Sequence, residues 1–452
     1  MISRLGLLIL LALSLFITGF NGKVLRYQPS GLYTEFNYSE EHSYAYYRKD
    51  LREKLSRNWQ ELLEAKGAKT PAEVERIVEL LAPTDKPPLN CSVVPDRLEG
   101  GRYRRGVLLI HGLYDSPYVM KDLEKFFNEN CFYTRSILLP GHGTRPGDML
   151  EISYIEWIKA VDFAVARFLD EVEDLYIAGF STGAALAVRK AIKDPDSIKG
   201  LFLFAPSLKL RTGSAALLHR LGKKWVPWQR FDDDDFVKYE SITLKSVIEV
   251  KRLADEVRED LEGQADGLAI PAMIVLSDSD YTIPAKETIR LFDEGRFGEK
   301  SRMIVYHRGD RPDSLPAQCY NPDASSGKDC RKLYYNSRFK YEMADAVYQI
   351  SDYSHMSLTL PPDDVHYGLA GDYRYCLQYF FGWQDGLRRA CKADVPAKVC
   401  LGERSAFGSQ KYEECEVQGR VVRRLSSNPL FKEMTGQIGN FIDKLGTHVD
   451  AQ

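Results

Sequence analysis

At 452 residues the chain is long enough for one large core or for two or three domains, and its 44% hydrophobic and 28% charged residues are those of a folded globular protein. A formal net charge of −3 gives no sign of the basic face that a nucleic-acid binder turns to phosphates. Aromatic residues make up 12%, a supply that suits a large core and an apolar substrate surface equally.

Met1-Ile2-Ser3-Arg4 is a short positive start, and Leu5 to Phe20 is an uncharged apolar run. Such a run has the length of a signal-peptide core and is short for a membrane span. No Ala-x-Ala site follows it, and no cysteine is there to take a lipid. Residues 1–22 are expected to be an export signal, either removed or kept as an anchor. The protein is then periplasmic or otherwise extracytoplasmic, with membrane association, if any, through residues 5–20. Cys91, Cys131, Cys319, Cys330, Cys376, Cys391, Cys400 and Cys415 form an even set that predicts disulfides in an exported chain. Cys319–Cys330 is the preferred local bridge, although roughly a hundred pairings are open to eight cysteines. No His/Cys cluster has zinc-ligand spacing, and no metal is expected.

Residues 23–105 read as a helical arm. Tyr46, Leu51, Leu55, Trp59 and Leu63 recur at helical spacing between Tyr38 and Ala65, and a second helix opens behind Thr70-Pro71 and runs to about Leu81. From Gly106 the texture becomes alternating strands and helices. Val107–Ile110, Ser136–Leu139, Leu175–Ala178, Leu201–Phe204 and Met273–Leu276 are short apolar runs, each closed by a turn signal, with helical patterns such as Tyr154–Leu169 between them. This alternation predicts a doubly wound, mostly parallel α/β sheet, whose ligands bind beyond the carboxyl ends of the strands. One domain, 106–452, accounts for it, interrupted at about 207–267, at a loop-like stretch of about 308–340, and at a cysteine-bearing stretch of about 370–424. The four aspartates Asp232–Asp235 read as a solvated acidic loop rather than a calcium site.

Gly179-Phe180-Ser181-Thr182-Gly183 stands between a buried strand and the Ala-rich helix Ala184–Ile192. A strand-to-helix turn of this kind projects a serine Oγ at the top of a sheet, and small residues on either side keep the turn free of collisions. Ser181 is the expected nucleophile. His111-Gly112-Leu113, directly after Ile110, supplies the early loop, so the backbone N–H groups of Leu113 and Thr182 are the expected oxyanion-hole donors. The acid and base follow the serine in this order of motifs, which rules His111 out as base. Asp280, after the strand Met273–Leu276, is the expected acid, with Asp278 in reserve. His355, after a short strand Ala346–Ile350, is the expected base. His366 competes with it, and His307 is disfavoured because it sits in or at the end of a strand.

Leu108-Leu109-Ile110-His111-Gly112-Leu113, then Leu139-Pro140-Gly141-His142-Gly143-Thr144, then Gly179–Gly183, with the Asp280 and His355 contexts, resemble bacterial carboxylesterases and monoacylglycerol lipases of the α/β-hydrolase fold. The resemblance spans about 106–368 and a final helix, Pro429–Leu445. It implies a cap at 207–267, cofactor-free hydrolysis of a small or lipid acyl ester, and a structural role for His142. The arm, the long interval from Asp280 to His355 and the stretch from Cys376 to Cys415 depart from the pattern. Leu217, Leu218, Leu221, Trp225 and Trp228 of the cap are candidates for an acyl-binding wall, or else for the cap's own small core. Amide, thioester or acyl-transfer chemistry on the same residues stays open, and so does oligomeric state. Two readings of other classes compete. A binding protein on a dead hydrolase fold predicts a damaged triad. A metal hydrolase built on His355, Asp363, Asp364 and His366 lacks a standard ligand spacing.

Overall fold

The computed structural model describes residues 25–32, 38, 41–67, 71–88, 91, 98, 100–210, 228–229, 235–322, 330–344, 346–371, 399–401 and 421–446. The apolar run Leu5–Phe20 and four of the cysteines' side chains, those of Cys376, Cys391, Cys400 and Cys415, fall outside this description. Among the described residues, no helix is long and apolar enough to cross a membrane.

A sheet of eight strands organises the chain. In spatial order these are β1 (Asp85–Lys86), β3 (Tyr133–Ile137), β2 (Tyr103–Ile110), β4 (Val172–Phe180), β5 (Gly200–Phe204), β8 (Ala272–Ser277), β9 (Arg302–His307) and β10 (Lys332–Asn336). Every neighbouring pair is parallel except β1 with β3. The strands are apolar on both faces because both faces are covered. Leu108 and Ile110 of β2, Leu201 and Leu203 of β5, and Ile274 and Leu276 of β8 enter one core. Their alternates Val107, Leu109, Phe202, Phe204, Met273 and Val275 enter the other.

The first face is covered by α1 (Tyr44–Ala65), α2 (Pro71–Leu81), α4 (Tyr154–Leu169), α5 (Thr182–Lys193), α6 (Leu244–Glu262) and α7 (Ala285–Asp293). The second is covered by α3 (Lys121–Glu129) and α8 (Phe431–Gly446). The expected helix Tyr154–Leu169 has those bounds, and four of the five expected strands lie within observed ones. The expected Ser136–Leu139 is shifted, the strand running Tyr133–Ile137 and leaving Leu138 and Leu139 in the loop after it. A smaller pairing, β6 (Trp228–Gln229) with β7 (Ile242–Thr243), precedes α6.

Three regions differ from the sequence expectation. The arm is part of the main core: Leu51, Leu55 and Trp59 of α1 are buried in the same cluster as β2 and β5. Tyr47 Oη donates to Leu138 O at 3.0 Å, and Trp59 Nε1 donates to Gly143 O at 2.8 Å. α1 begins at Tyr44, where the Ser43 side chain caps it by accepting from Tyr46 N. Secondly, α6 packs on α5 and α4, with Leu253, Val257 and Leu261 in the core. It is therefore the crossover helix between β5 and β8, and this part of 207–267 belongs to the layered pattern. Thirdly, the stretch read as loop-like holds β10. Its alternating, half-buried Lys332–Asn336 is the pattern of an edge strand rather than a central one.

Beyond β10 the chain forms a second sheet, β11 (Phe339–Met343), β12 (Ala346–Ile350), β13 (Val399–Leu401) and β14 (Val421–Arg423). Cys319 and Cys330 are bridged, as expected from their spacing, and Cys91 is bridged to Cys131.

Candidate active site

Ser181 stands between β4 and α5 with φ 54° and ψ −112°, a conformation that side chains rarely adopt. Its neighbours explain how the turn survives. A Cβ on Gly179 would lie 2.5 Å from Gly183 O, and one on Gly183 would lie 2.2 Å from Ile110 O. Without side chains at both positions, the start of α5 can press against the end of β2. Ser181 N–H donates to Phe204 O at 2.8 Å, which ties the turn to β5 as well. Local sequence thus dictates a strained turn, and two neighbouring strands hold it.

Ser181 Oγ lies 2.8 Å from His355 Nε2, and His355 Nδ1 lies 2.6 Å from Asp280 Oδ2. All three residues are buried. Asp280 Oδ1 accepts from the N–H groups of Thr282 and Ile283, at 2.7 and 2.9 Å. The carboxylate is therefore fixed on one oxygen while the other faces the imidazole. Nδ1–H then points to Asp280, which leaves Nε2 as the acceptor for the Ser181 hydroxyl. Phe180 lies over the imidazole with ring centroids 5.2 Å apart.

Asp280 follows β8 at the expected turn. His355 arrives differently, because the β12 strand before it belongs to the second sheet. Three contacts set its loop: Ser351 N–H donates to Leu401 O at 2.9 Å, Ser277 Oγ donates to Tyr353 O at 2.8 Å, and Tyr353 stacks on Tyr306 of β9 at 4.0 Å. The hydroxyl of Ser277, at the end of the strand that leads to Asp280, thus holds the loop that carries His355.

The competing residues have other partners. Asp278 Oδ2 meets His307 Nδ1 at 2.5 Å, and Asp278 Oδ1 accepts from Arg308 N at 3.2 Å. Asp364 accepts from Tyr118 Oη and Lys121 Nζ, each at 2.9 Å, and hydrogen bonding to them holds its carboxyl below the usual range despite burial. His366 lies beside Tyr118 in that cluster. His111 is buried, its Nε2 accepting from Leu139 N at 3.0 Å and its Nδ1 facing Gly112 O at 2.8 Å. Burial drives its pKa well below 6.5, so it is a neutral brace for the loop. Burial likewise lowers His142 to about 4, and its Nδ1 faces the carbonyls of Leu139 and Pro140. Both histidines hold the turns around the site.

Leu113 follows β2 and is half-buried, and Thr182 is the first residue of α5, where an N–H has no partner within the helix. Gly183 brings these two backbone segments together. Trp225 lies outside the described residues, and so does the side chain of Trp228. The same is true of Leu217, Leu218 and Leu221.

Two features escaped the sequence reading. Residues 235–243 cross the early loop: Tyr239 N–H donates to Tyr114 O at 2.8 Å, Lys238 Nζ pairs with Asp115 Oδ1 at 3.3 Å, and Tyr367 Oη donates to Asp235 Oδ2 at 2.5 Å. This strap joins the Leu113 side of the site to the segment after His355. Ser207, just beyond β5, places its Oγ 3.1 Å from Ser181 Oγ. Neither has a motif, since each depends on contacts between distant parts of the chain.

A mostly parallel eight-stranded sheet, with a serine on a strained turn after a central strand, is the arrangement of the α/β-hydrolase fold. The chain has this fold and, over part of its length, resembles monoacylglycerol lipases and esterases. Residues 101–237 match the family model described as serine aminopeptidase, S33. A thermostable monoacylglycerol lipase from Bacillus sp. (strain H-257) is 25% identical over 185 residues, which are 40% of this chain and 72% of that protein. Among solved structures, the monoacylglycerol lipase of Paleococcus ferrophilus is 21% identical with a TM-score of 0.38, over 45% of this chain and 86% of its own. Est1E from Butyrivibrio proteoclasticus, with ferulic acid bound, is 18% identical with a TM-score of 0.36, over 50% and 86% respectively.

Proposed function

We propose that the protein is a serine ester hydrolase in which Ser181, His355 and Asp280 form the catalytic triad and Leu113 and Thr182 the oxyanion hole. The observation that carries this reading is the unbroken hydrogen-bond chain from Ser181 Oγ through His355 to Asp280. His355 Nε2 takes the Ser181 proton as Oγ attacks the acyl carbonyl carbon. The N–H groups of Leu113 and Thr182 receive the carbonyl oxygen as it becomes an oxyanion, a donation worth about 3 kcal/mol per group. Collapse expels the alcohol, which takes the proton from Nε2 and leaves an acyl-enzyme. Water then repeats the sequence and releases the acid. Asp280, held by Thr282 and Ile283, keeps the imidazole in the tautomer that both halves need.

The names of the related proteins favour a monoacylglycerol or another lipid-like acyl ester as substrate. The model matched at residues 101–237 is described by an aminopeptidase, so an amide belongs in the same substrate panel. Export fits the two bridged cysteine pairs, which need an oxidising compartment to persist.

A fluorophosphonate probe and a panel of p-nitrophenyl esters of rising chain length test the reading, with a peptide amide alongside. The wild type is expected to be labelled at Ser181 and to hydrolyse the esters. Ser181→Ala loses the label and about 10⁴-fold or more of the turnover. Equal labelling or turnover in Ser181→Ala removes Ser181 from the role of nucleophile.

A further inference from the structure

The hydroxyl of Ser207 bears on the reacting oxygen itself. Ser207 is 1% exposed, and its Oγ lies 3.1 Å from Ser181 Oγ. Two backbone bonds lock the geometry: Ser181 N–H donates to Phe204 O at 2.8 Å, and Ser207 N–H donates to Ser181 O at 3.1 Å. The turn after β5 and the turn after β4 therefore move as one piece. Ala205 between them takes φ 45°, so the chain bends sharply to bring Ser207 back over Ser181.

The direction of the bond follows from proton counting. His355 Nδ1–H points to Asp280, so Nε2 can only accept, and the Ser181 proton lies towards it. Ser181 Oγ has no second hydrogen to give. The proton between the two serines is therefore that of Ser207, which donates to Ser181 Oγ.

We propose that Ser207 is a further catalytic residue that stabilises Ser181 Oγ as the leaving group of deacylation; the proposal rests on Ser181 being the nucleophile. In the acyl-enzyme, Oγ is the singly bonded oxygen of an ester and a poor hydrogen-bond acceptor. Water attacks the acyl carbon and gives its proton to His355 Nε2. When the tetrahedral intermediate collapses, the C–Oγ bond breaks, its electron pair goes to Oγ, and Nε2 returns the proton to that oxygen. Ser207 keeps its own proton throughout. Its donation strengthens as charge gathers on Oγ, so it stabilises this transition state more than the acyl-enzyme before it. Acylation gains less, because Oγ starts that step as a hydroxyl that already accepts the bond.

The test uses the full chain and follows the acyl-enzyme by rapid quench and intact-mass spectrometry with a p-nitrophenyl ester. Ser207→Ala is expected to slow loss of the acyl mass by about tenfold, the size of a buried hydrogen bond to a charged partner, while the rate of acylation stays within about threefold. Ser207→Thr, which keeps a hydroxyl, is expected to retain deacylation within about threefold of wild type. Matching unfolding temperatures establish that both variants are folded. An unchanged deacylation rate in Ser207→Ala overturns the proposal, as does an equal slowing of both half-reactions. Equal slowing in Ser207→Thr also overturns it, because the hydroxyl is then not what matters. A wild type that never forms an acyl adduct at Ser181 fails the nucleophile reading instead, and that outcome is read from the wild type alone.

Discussion

The two halves of the site are held in different ways. Ser181 and its turn are built within a few residues: β4 delivers it, Gly179 and Gly183 permit the bend, and α5 starts at the next residue. His355 reaches the same place after β9, the Cys319–Cys330 loop, β10 and a hairpin that belongs to a second sheet. Ser181 is positioned by local backbone sterics and His355 by tertiary contacts such as Ser277 to Tyr353. The reaction needs both to agree to within a few tenths of an ångström. Close attachment of the histidine loop to the acid strand is how a distant segment meets that demand.

The sharpest challenge to this comparison is on the tertiary side. Asp280→Asn is expected to lower turnover by about 10³- to 10⁴-fold, because an amide there no longer holds the required imidazole tautomer. Asp278→Asn, two residues away, breaks only a partly exposed pair with His307 and is expected to stay within about fivefold. Steady-state kinetics of the two variants compare them directly. Equal losses mean that the acid has been assigned to the wrong carboxylate.

On the local side, Gly183→Ala drives a Cβ into Ile110 O and is expected to cost about 3 kcal/mol or more in denaturant unfolding. Fluorophosphonate labelling should fall with it, since Thr182 is displaced by the same clash. A smaller effect separates structural from catalytic histidines. His142 has its folded pKa lowered to about 4 from 6.5, so the unfolded chain binds more protons between those values. Its contribution is complete above pH 6.5 and is lost as pH falls towards 4. Between pH 7 and 5 the loss amounts to about 2 kcal/mol, visible as a falling unfolding temperature. His142→Gln is expected to flatten that dependence. The smallest effect is expected from Gly436→Ala, in α8 with open space around it, which should be neutral or stabilise by about 1 kcal/mol.

Much of this arrangement could be read before the fold was known, and the reasons are specific. Val107–Ile110, Leu201–Phe204 and Met273–Leu276 are buried on both faces, so each is a continuous apolar run that stands out from its turns. Asp280 and His355 could be chosen because the motif imposes an order along the chain. Lys332–Asn336 was hidden because an edge strand alternates and looks like loop. Leu244–Glu262 falls inside the cap expected at 207–267 because its amphipathic pattern says that one face is buried and not what covers it.

By itself the sequence determined the turn at Ser181, the parallel sheet that carries it, and the residue types able to complete a triad. Those depend on backbone sterics and on apolar periodicity, which act between near neighbours. The tertiary structure alone decided that Asp278 belongs to His307, that His111 and His142 are buried braces, and that Ser207 lies against Ser181. Each of those outcomes rests on a distance between segments far apart in the chain, and only the packed sheet sets such distances.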